Sequence, residues 1–256
     1  MNPMILNVSE AGEGPPLVLL HGLFGAARNL GLLSRALSSS FHVLALDQRN
    51  HGESPRGEHM DYAIMAEDVA QTLEHLGLSE VRLCGHSMGG KTAMMLALSR
   101  PGMVKRLAVM DIAPVSYPHD YSGYVEAMRA IALTPSLTRG EADLALSASV
   151  KAAPMRAFLL NNLVLGPAPR WRVGLDEISA NMANLFRWDD PPGVRPYGGP
   201  ALFLCGADSD YVKQSAEPAI WQRFPQARVE RVQGASHWLH ADKPEQVVGA
   251  LRAFFA

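Results

Sequence analysis

The sequence predicts an α/β protein with a mostly parallel, twisted sheet, helices on both faces of that sheet and an inserted helical lid. Three observations lead to this prediction. Short apolar runs bounded by turn residues recur along the chain, stretches of helical periodicity separate them, and one long interval contains helical patterns without a convincing strand. Because ligands of such sheets bind at the carboxyl ends of the strands, the residues that follow each run are the candidates for a site.

The apolar runs are short enough to be buried strands, and the periodic stretches between them are long enough to be helices. The predicted strands are residues 17–21, 42–47, 81–85, 106–111, 201–206 and 228–232. The predicted helices outside the long interval are residues 62–76, 89–99, 216–224 and 245–255.

Residues 116–195 form the interval without a predicted strand. Their helical patterns cover residues 124–133, 142–150, 155–163 and 175–186, and the interval ends in the helix-breaking run DDPPGVRPYGGP. We therefore interpret residues 1–115 and 196–256 as the core, and residues 116–195 as a helical lid inserted after a strand.

Composition excludes several classes of protein. The chain has 256 residues, 23 basic and 25 acidic, without a long run of either sign, so neither nucleic acid nor a membrane surface is an expected partner. No secretory segment and no run of ~18 apolar residues is visible. The two cysteines, Cys84 and Cys205, follow strands separated by another strand, about 9–10 Å apart and too far for a disulfide. A cytoplasmic protein is the expectation.

Ser87 lies in the sequence GHSMG, which satisfies the pattern G-x-S-x-G. A predicted strand precedes this pattern and a predicted helix follows it, which is the context that a nucleophile turn requires. In such a turn the backbone is tight, the glycines remove clashes, and the hydroxyl projects above the sheet. We predict that Ser87 is a catalytic nucleophile.

A serine hydroxyl needs a base, and the sequence GASHWLHADKP near the end of the chain offers two histidines. His237 follows the last predicted strand and is the predicted base. His240 is expected to be a surface or loop-ordering residue. Since the pair has no third ligand at a convincing spacing, we predict no metal site.

The oxyanion of an acyl intermediate must also be stabilised, and the run HGLFG at residues 21–25 follows the first predicted strand. Two backbone N–H groups are predicted to form this oxyanion hole, those of Met88 and Leu23, with Phe24 the alternative to Leu23.

Two positions in the sequence are candidates for the acidic residue that orients the histidine. In the run LFLCGADSDYV, Ser209 occupies the position where an aspartate is usual, and Asp208 and Asp210 flank it. Asp111 is the other candidate, 24 residues after Ser87 (111 − 87) at the end of a predicted strand. An aspartate at either strand end can orient the imidazole.

Five motifs in this order, HGLFG, DQRNHGESP, GHSMGG, MDIAP and GASHWLHADKP, closely resemble those of the YbfF-like small esterases and thioesterases of the α/β-hydrolase superfamily. The resemblance covers nearly the whole chain. It implies hydrolysis of carboxylic esters or acyl-CoA thioesters without a cofactor. It also favours Asp111 as the acid, because the aspartate in a matching D-I-A-P context is thought to serve in that group.

Residues next to these positions are expected to support the site. His21, Phe24, His86 and Trp238 are predicted to contact substrate, with His86 packing or hydrogen bonding and not acting as a second base. Apolar lid side chains suit an acyl chain, so a small-molecule acyl ester or thioester is the expected partner. Perhydrolysis or carbon–carbon bond hydrolysis on the same triad, or a hydrolase-like ligand receptor, are the alternatives.

Overall fold

A computed structural model describes residues 4–256. The strands in this part of the chain, in chain order, are β1 (Val8–Ala11), β2 (Pro16–Leu20), β3 (His42–Leu46), β4 (Val81–His86), β5 (Val104–Met110), β6 (Leu163–Val164), β7 (Arg170–Trp171), β8 (Ala201–Gly206) and β9 (Ala227–Val232). Seven of them form one sheet in the order β1-β3-β2-β4-β5-β8-β9, and every pairing in it is parallel except that of β1 with β3. The predicted fold class is confirmed.

The α-helices of the described residues cover the sheet and fill the long interval between β5 and β8. They are α1 (Gly31–Leu37), α2 (Tyr62–His75), α3 (Met88–Ser99), α4 (Ser122–Arg129), α5 (Arg139–Ser147), α6 (Ala153–Leu160), α7 (Leu175–Ala180), α8 (Met182–Phe186), α9 (Glu217–Arg223), α10 (Leu239–Asp242) and α11 (Pro244–Phe255).

The strands are continuous apolar runs because both faces of the sheet are covered. In β2, Val18 and Leu20 pack into the same cluster as apolar side chains of α2 and α3, whereas Leu17 and Leu19 pack with those of α1 and α11. All four leucine and valine side chains are fully buried. Successive side chains of a strand point to opposite faces, so two hydrophobic layers need an apolar residue at every position.

Outside residues 116–195, β1 and the short helices α1 and α10 were not predicted. β1 is an antiparallel edge strand, paired from Val8 with Leu46 to Ala11 with Val43, and its two central residues are exposed. An edge strand with polar exposed residues carries no apolar run, which is why the sequence pattern missed it. α1 has only seven residues, too few for a clear helical period.

The interval 116–195 contains five helices, but the expectation that it has no strand is wrong. β6 and β7 pair antiparallel across a turn in which Gly166 has φ 111°. Each has two residues, so neither produces a pattern. The predicted helix 175–186 is two helices, α7 and α8, which meet at Asn181. The Asn181 side chain donates to Glu58 O at 2.7 Å and so holds this break against the core.

The cysteines lie in β4 and β8, with β5 between them, and both are free and buried. Burial raises the pKa of each thiol to about 12, so the thiolates are disfavoured. Within residues 4–256 no helix is long and apolar enough to cross a membrane.

Candidate active site

Ser87 connects β4 to α3 with a backbone that few non-glycine residues adopt. Its φ is 53° and its ψ is −118°, and its N–H donates to Met110 O in the adjacent strand at 3.0 Å. A Cβ atom on Gly85 would collide with the backbone of Gly89, and one on Gly89 would collide with the end of β2. The glycines of GHSMGG therefore allow three backbone segments to approach closely, and the hydroxyl of Ser87 projects into the space above the sheet.

His237 lies between Ser87 and Asp111 and contacts both. Its Nε2 is 2.9 Å from Ser87 Oγ, and its Nδ1 is 2.7 Å from Asp111 Oδ2. The ring of Tyr211 stacks on the imidazole with centroids 3.8 Å apart. When Nδ1 carries its proton toward the carboxylate, Nε2 is free to accept the proton of the serine hydroxyl. This is the geometry that turns a serine hydroxyl into a nucleophile.

Asp111 follows β5 in the left-handed region, with φ 52°, and its carboxylate is completely buried. Three donors satisfy it. His237 and the hydroxyl of Ser209 bond Oδ2, and the N–H of Gly206 bonds Oδ1 at 2.9 Å. A buried carboxylate that accepts several hydrogen bonds keeps one position, so the imidazole it bonds keeps one orientation.

The alternative acids lie away from His237. Asp208 and Asp210 are both exposed, and Asp210 pairs with Lys213 at 3.1 Å while its side chain is 91% exposed. Ser209, the residue at the usual acid position, bonds Asp111 instead. The loop after β8, which carries Ser209, thus lies against the loop after β5, which carries Asp111.

Leu23 and Met88 line a cavity together with Ser87, and within residues 4–256 neither N–H donates to a protein acceptor. The N–H of Phe24, the alternative donor, is engaged, since it donates to Nε2 of His51 at 3.1 Å. Phe24 has φ 59°, so its backbone is also strained. Leu23 and Met88 are therefore the two free donors beside the serine.

Two buried, neutral imidazoles hold the loop that carries Leu23. His51 donates from Nδ1 to Arg49 O at 2.8 Å, which leaves Nε2 as the acceptor for Phe24. His21 accepts from the N–H of Gln48 at 2.9 Å. Burial lowers the pKa of His51 to about 3 and also lowers the pKa of His21. Both rings therefore stay uncharged and keep their lone pairs for backbone N–H groups.

His86, the residue before the nucleophile, supports the base loop. Its Nε2 donates to His237 O at 2.8 Å, and its ring is 4.6 Å from that of His240. Burial, with His240 and His237 nearby, holds the pKa of His86 well below its usual value. His240 was expected to be a surface or loop-ordering residue; it is half-buried and its ring lies against His86, which agrees with the second role. Burial lowers the pKa of His240 to about 4.

Two small cavities meet at Ser87. The first, of about 60 Å³, is lined by His237 and by all four residues predicted to contact substrate. Those residues are His21, Phe24, His86 and Trp238. The second, of about 30 Å³, is lined by Leu23, Met88, Lys91 and four tyrosines. Beyond Phe158 and Trp238, which also line the first cavity, lies a surface groove of about 610 Å³.

Sequence reasoning missed three residues of the site, Lys91, Ser209 and Tyr211. Ser209 had a signal, because it stands where an aspartate is usual. Tyr211 follows two residues later and stacks on the base, but an aromatic residue in a loop indicates no partner. Lys91 lies in a helix of apolar and small residues. The sequence alone does not indicate whether its side chain is buried, and the packing of the helix shows that it is.

A mostly parallel sheet with a Ser–His–Asp hydrogen-bond chain at the carboxyl ends of its strands is the arrangement of hydrolases that use a nucleophilic serine. The family model for the alpha/beta hydrolase fold matches residues 15–244, and the chain belongs to this family. Its relatives include esterases and lipases.

Three relatives match nearly the whole chain. The sn-1-specific diacylglycerol lipase ABHD11 of Xenopus laevis is 44% identical over 254 residues, covering 94% of this chain and 80% of the relative. Esterase YbfF of Escherichia coli K12 is 35% identical over 240 residues, covering 93% and 92%. The solved structure of a marine microorganism esterase superposes with a TM-score of 0.93 at 36% identity, covering 98% of this chain and 99% of that one. The chain groups with the esterases and lipases of its family.

Proposed function

We propose that the protein is a serine hydrolase that cleaves carboxylic esters of small to medium acyl chains, and acyl-CoA thioesters, through an acyl-enzyme. The observation that carries the proposal is the unbroken chain of hydrogen bonds from Ser87 Oγ through His237 to the buried carboxylate of Asp111. The relatives named as a diacylglycerol lipase and an esterase support an ester substrate, and the resemblance of the motifs supports the thioester.

The proposed reaction follows from these positions. Ser87 Oγ attacks the acyl carbon while His237 Nε2 accepts its proton, and the developing oxyanion accepts hydrogen bonds from the amides of Leu23 and Met88. His237 then returns the proton to the leaving oxygen, which departs as the alcohol. Water, deprotonated by His237, attacks the acyl-serine, and His237 returns that proton to Ser87 Oγ as the carboxylic acid leaves. Asp111 holds the imidazole and stabilises its cation throughout.

The two cavities give the substrate a direction. The leaving group must lie beside His237, which protonates it, and His237 lines the first cavity only. We therefore assign the first cavity, with the groove beyond it, to the alcohol or thiol. The acyl group then lies in the second cavity, between the oxyanion donors and Lys91. We further propose that residues 116–195 act as a lid, since Tyr121, Met155 and Phe158 of that interval line the first cavity.

The first test is hydrolysis of p-nitrophenyl esters from acetyl to palmitoyl, with acyl-CoA thioesters in parallel. The wild type is compared with Ser87→Ala and with Ser99→Ala, an exposed serine at the other end of α3. We expect turnover by the wild type and Ser99→Ala, and loss of at least about 10³-fold in Ser87→Ala. Equal rates in all three proteins would overturn the proposal, and a protein inert toward all these esters would next be tested on a diketone.

A further inference from the structure

Lys91 is a buried cation one helical turn after Ser87. It is 1% exposed and belongs to α3, and its N–H donates to the carbonyl of Ser87 at 3.0 Å. Its Nζ lies 3.2 Å from Arg187 O and 3.4 Å from Phe186 O. The side chain lines the second cavity, and so do Phe186, Tyr117 and Tyr62, which lie around Nζ.

No carboxylate compensates this charge. Among residues 4–256 Lys91 takes part in no salt bridge, and its other neighbours are the rings of Tyr117 and Tyr62, with centroids 5.0 and 5.2 Å from Nζ. Burial alone lowers the pKa of Lys91 to about 7. A lysine is almost never fully buried without a paired anion, because desolvation of the ammonium is costly. The second cavity is thus an apolar, aromatic space with one unpaired positive charge in its wall.

The position of this charge relative to the reacting atoms limits what it can bind. Ser87 and both oxyanion donors line the same cavity as Lys91. The cavity is small, so a group bound to the acyl carbon reaches the ammonium after a few carbon atoms. A carboxylate at the far end of a short acyl group would meet Nζ and supply the missing partner.

We propose that Lys91 is a specificity-determining residue that binds a terminal carboxylate of the acyl group. The enzyme would then prefer half-esters and half-thioesters of short dicarboxylic acids over neutral acyl groups of the same size. This inference rests on the proposed function, because it uses the same nucleophile and the same acyl cavity.

A structural role for Lys91 makes a different prediction. If the ammonium only ties the carbonyls of Phe186 and Arg187 to α3, its removal would alter the lid near α8 and affect all substrates alike. The charge of the substrate distinguishes the two roles, so the test compares a charged ester with a neutral ester of matching shape.

The experiment measures kcat and KM for monoethyl succinate and ethyl 4-methylpentanoate, in which an isopropyl group replaces the carboxylate. Lys91→Met keeps the length and apolar stem of the side chain and removes a buried charge, so we expect it to fold. Lys105→Met, an exposed lysine of β5, is the control. Thermal unfolding of each variant verifies its fold.

We expect the wild type and Lys105→Met to prefer monoethyl succinate. In Lys91→Met the ratio of kcat/KM values, charged over neutral, should fall by about tenfold or more, mainly through KM for the charged ester. An unchanged ratio, or an equal fall for both esters, would overturn the inference. If the wild type hydrolyses the neutral ester without preferring succinate, only this inference fails. If it hydrolyses no ester, the proposed function fails with it.

Discussion

The loops at the carboxyl ends of the strands and the helices of residues 116–195 are held in place by different means. All the non-glycine residues with positive φ in the described chain lie in the loops after four adjacent strands, β3, β2, β4 and β5. These residues are Phe24, Asn50, Ser87 and Asp111. Such a backbone costs free energy and persists only where its surroundings determine it fully. Ser87 and Asp111, two members of the hydrogen-bond chain, therefore lie on strained backbone.

Residues 116–195 contact the core partly through side-chain bonds to backbone carbonyls, beside a backbone bond from Gly174 N–H to Asn50 O at 2.7 Å. Asn162 donates to Phe24 O at 2.7 Å, Tyr62 donates to Leu185 O at 2.5 Å, and Arg56 donates to Trp171 O at 3.0 Å. Each such bond contributes about 0.5–1.5 kcal/mol to the free energy of unfolding. Removal of one of them should therefore have a smaller effect than disruption of a strained turn. We infer that the loops set the chemistry.

The largest effect is expected for Asp111→Asn. The amide fills the same space, but it has no negative charge to accept the hydrogen bond from Nδ1–H as the carboxylate does. The imidazole therefore loses its orientation and the stabilisation of its cation. We expect kcat to fall by about 10³–10⁴-fold with little change in KM. Asp210→Asn, one of the exposed alternatives, should retain full activity, and the opposite result would move the acid to the late loop.

A smaller effect is expected for His51→Phe. The ring keeps its size, but the N–H of Phe24 loses its acceptor inside the protein, which costs about 1–3 kcal/mol in the free energy of unfolding. The loop of Leu23 would shift, so kcat for esters should fall about 10–100-fold, less than the about 10²–10³-fold for complete loss of an oxyanion donor. His59→Phe, an exposed position in the same loop, is the control. Unchanged kcat in His51→Phe would show that this bond does not position the donor.

The pH dependence of stability provides a third comparison. Burial lowers the pKa of Lys91 to about 7 in the folded protein, whereas its ordinary value, which the unfolded chain keeps, is 10.5. The unfolded state therefore binds more protons between these values, and the free energy of unfolding should rise with pH across this window. Lys91→Met should lack that rise and should be the more stable protein at pH 7. Chemical denaturation of both proteins at pH 7 and pH 9 measures their free energies of unfolding. Parallel curves would show that Lys91 is not a desolvated cation.

The smallest effect is expected on the exposed side of the inserted helices. Arg129 pairs with Asp176 at 2.5 Å and with Glu126 at 3.0 Å, but the carboxylates are 89% and 66% exposed. Exposed ion pairs contribute about 0–1 kcal/mol because water and salt screen them. Arg129→Ala should therefore leave kcat, KM and the unfolding midpoint nearly unchanged. A large fall in kcat/KM would place this ion pair in the substrate path.

The sequence predicted the parts of the fold in which local pattern and buried position coincide. Six strands were predicted: the five interior ones are mostly apolar because both faces of the sheet are covered, and the edge strand β9 alternates between half-buried and exposed residues. β1 and the pair β6–β7 were missed because edge and two-residue strands have no such pattern. Ser87, His237 and Asp111 were predicted because each lies at or after the end of a predicted strand, and parallel strands bring their carboxyl ends together.

The rest of the site depends on contacts between segments distant in sequence. His51 bonds Phe24, Ser209 bonds Asp111, and Lys91 meets Tyr117 across the second cavity. No spacing within a segment indicates which backbone donor or charge will lie opposite. The same limit applies to His240, whose place against His86 follows from the short helix α10. The division of the chain into core and lid stays a prediction.

The most direct test of the account is labelling with diethyl p-nitrophenyl phosphate. Ser87 Oγ would attack phosphorus, p-nitrophenolate would leave, and the proton would pass to His237. We predict release of one equivalent of p-nitrophenolate, a diethylphosphoryl group on the peptide that contains Ser87, and no label on Ser87→Ala. A wild-type protein that stays unlabelled, or that carries the group on another residue, would contradict the assignment of Ser87 as the nucleophile.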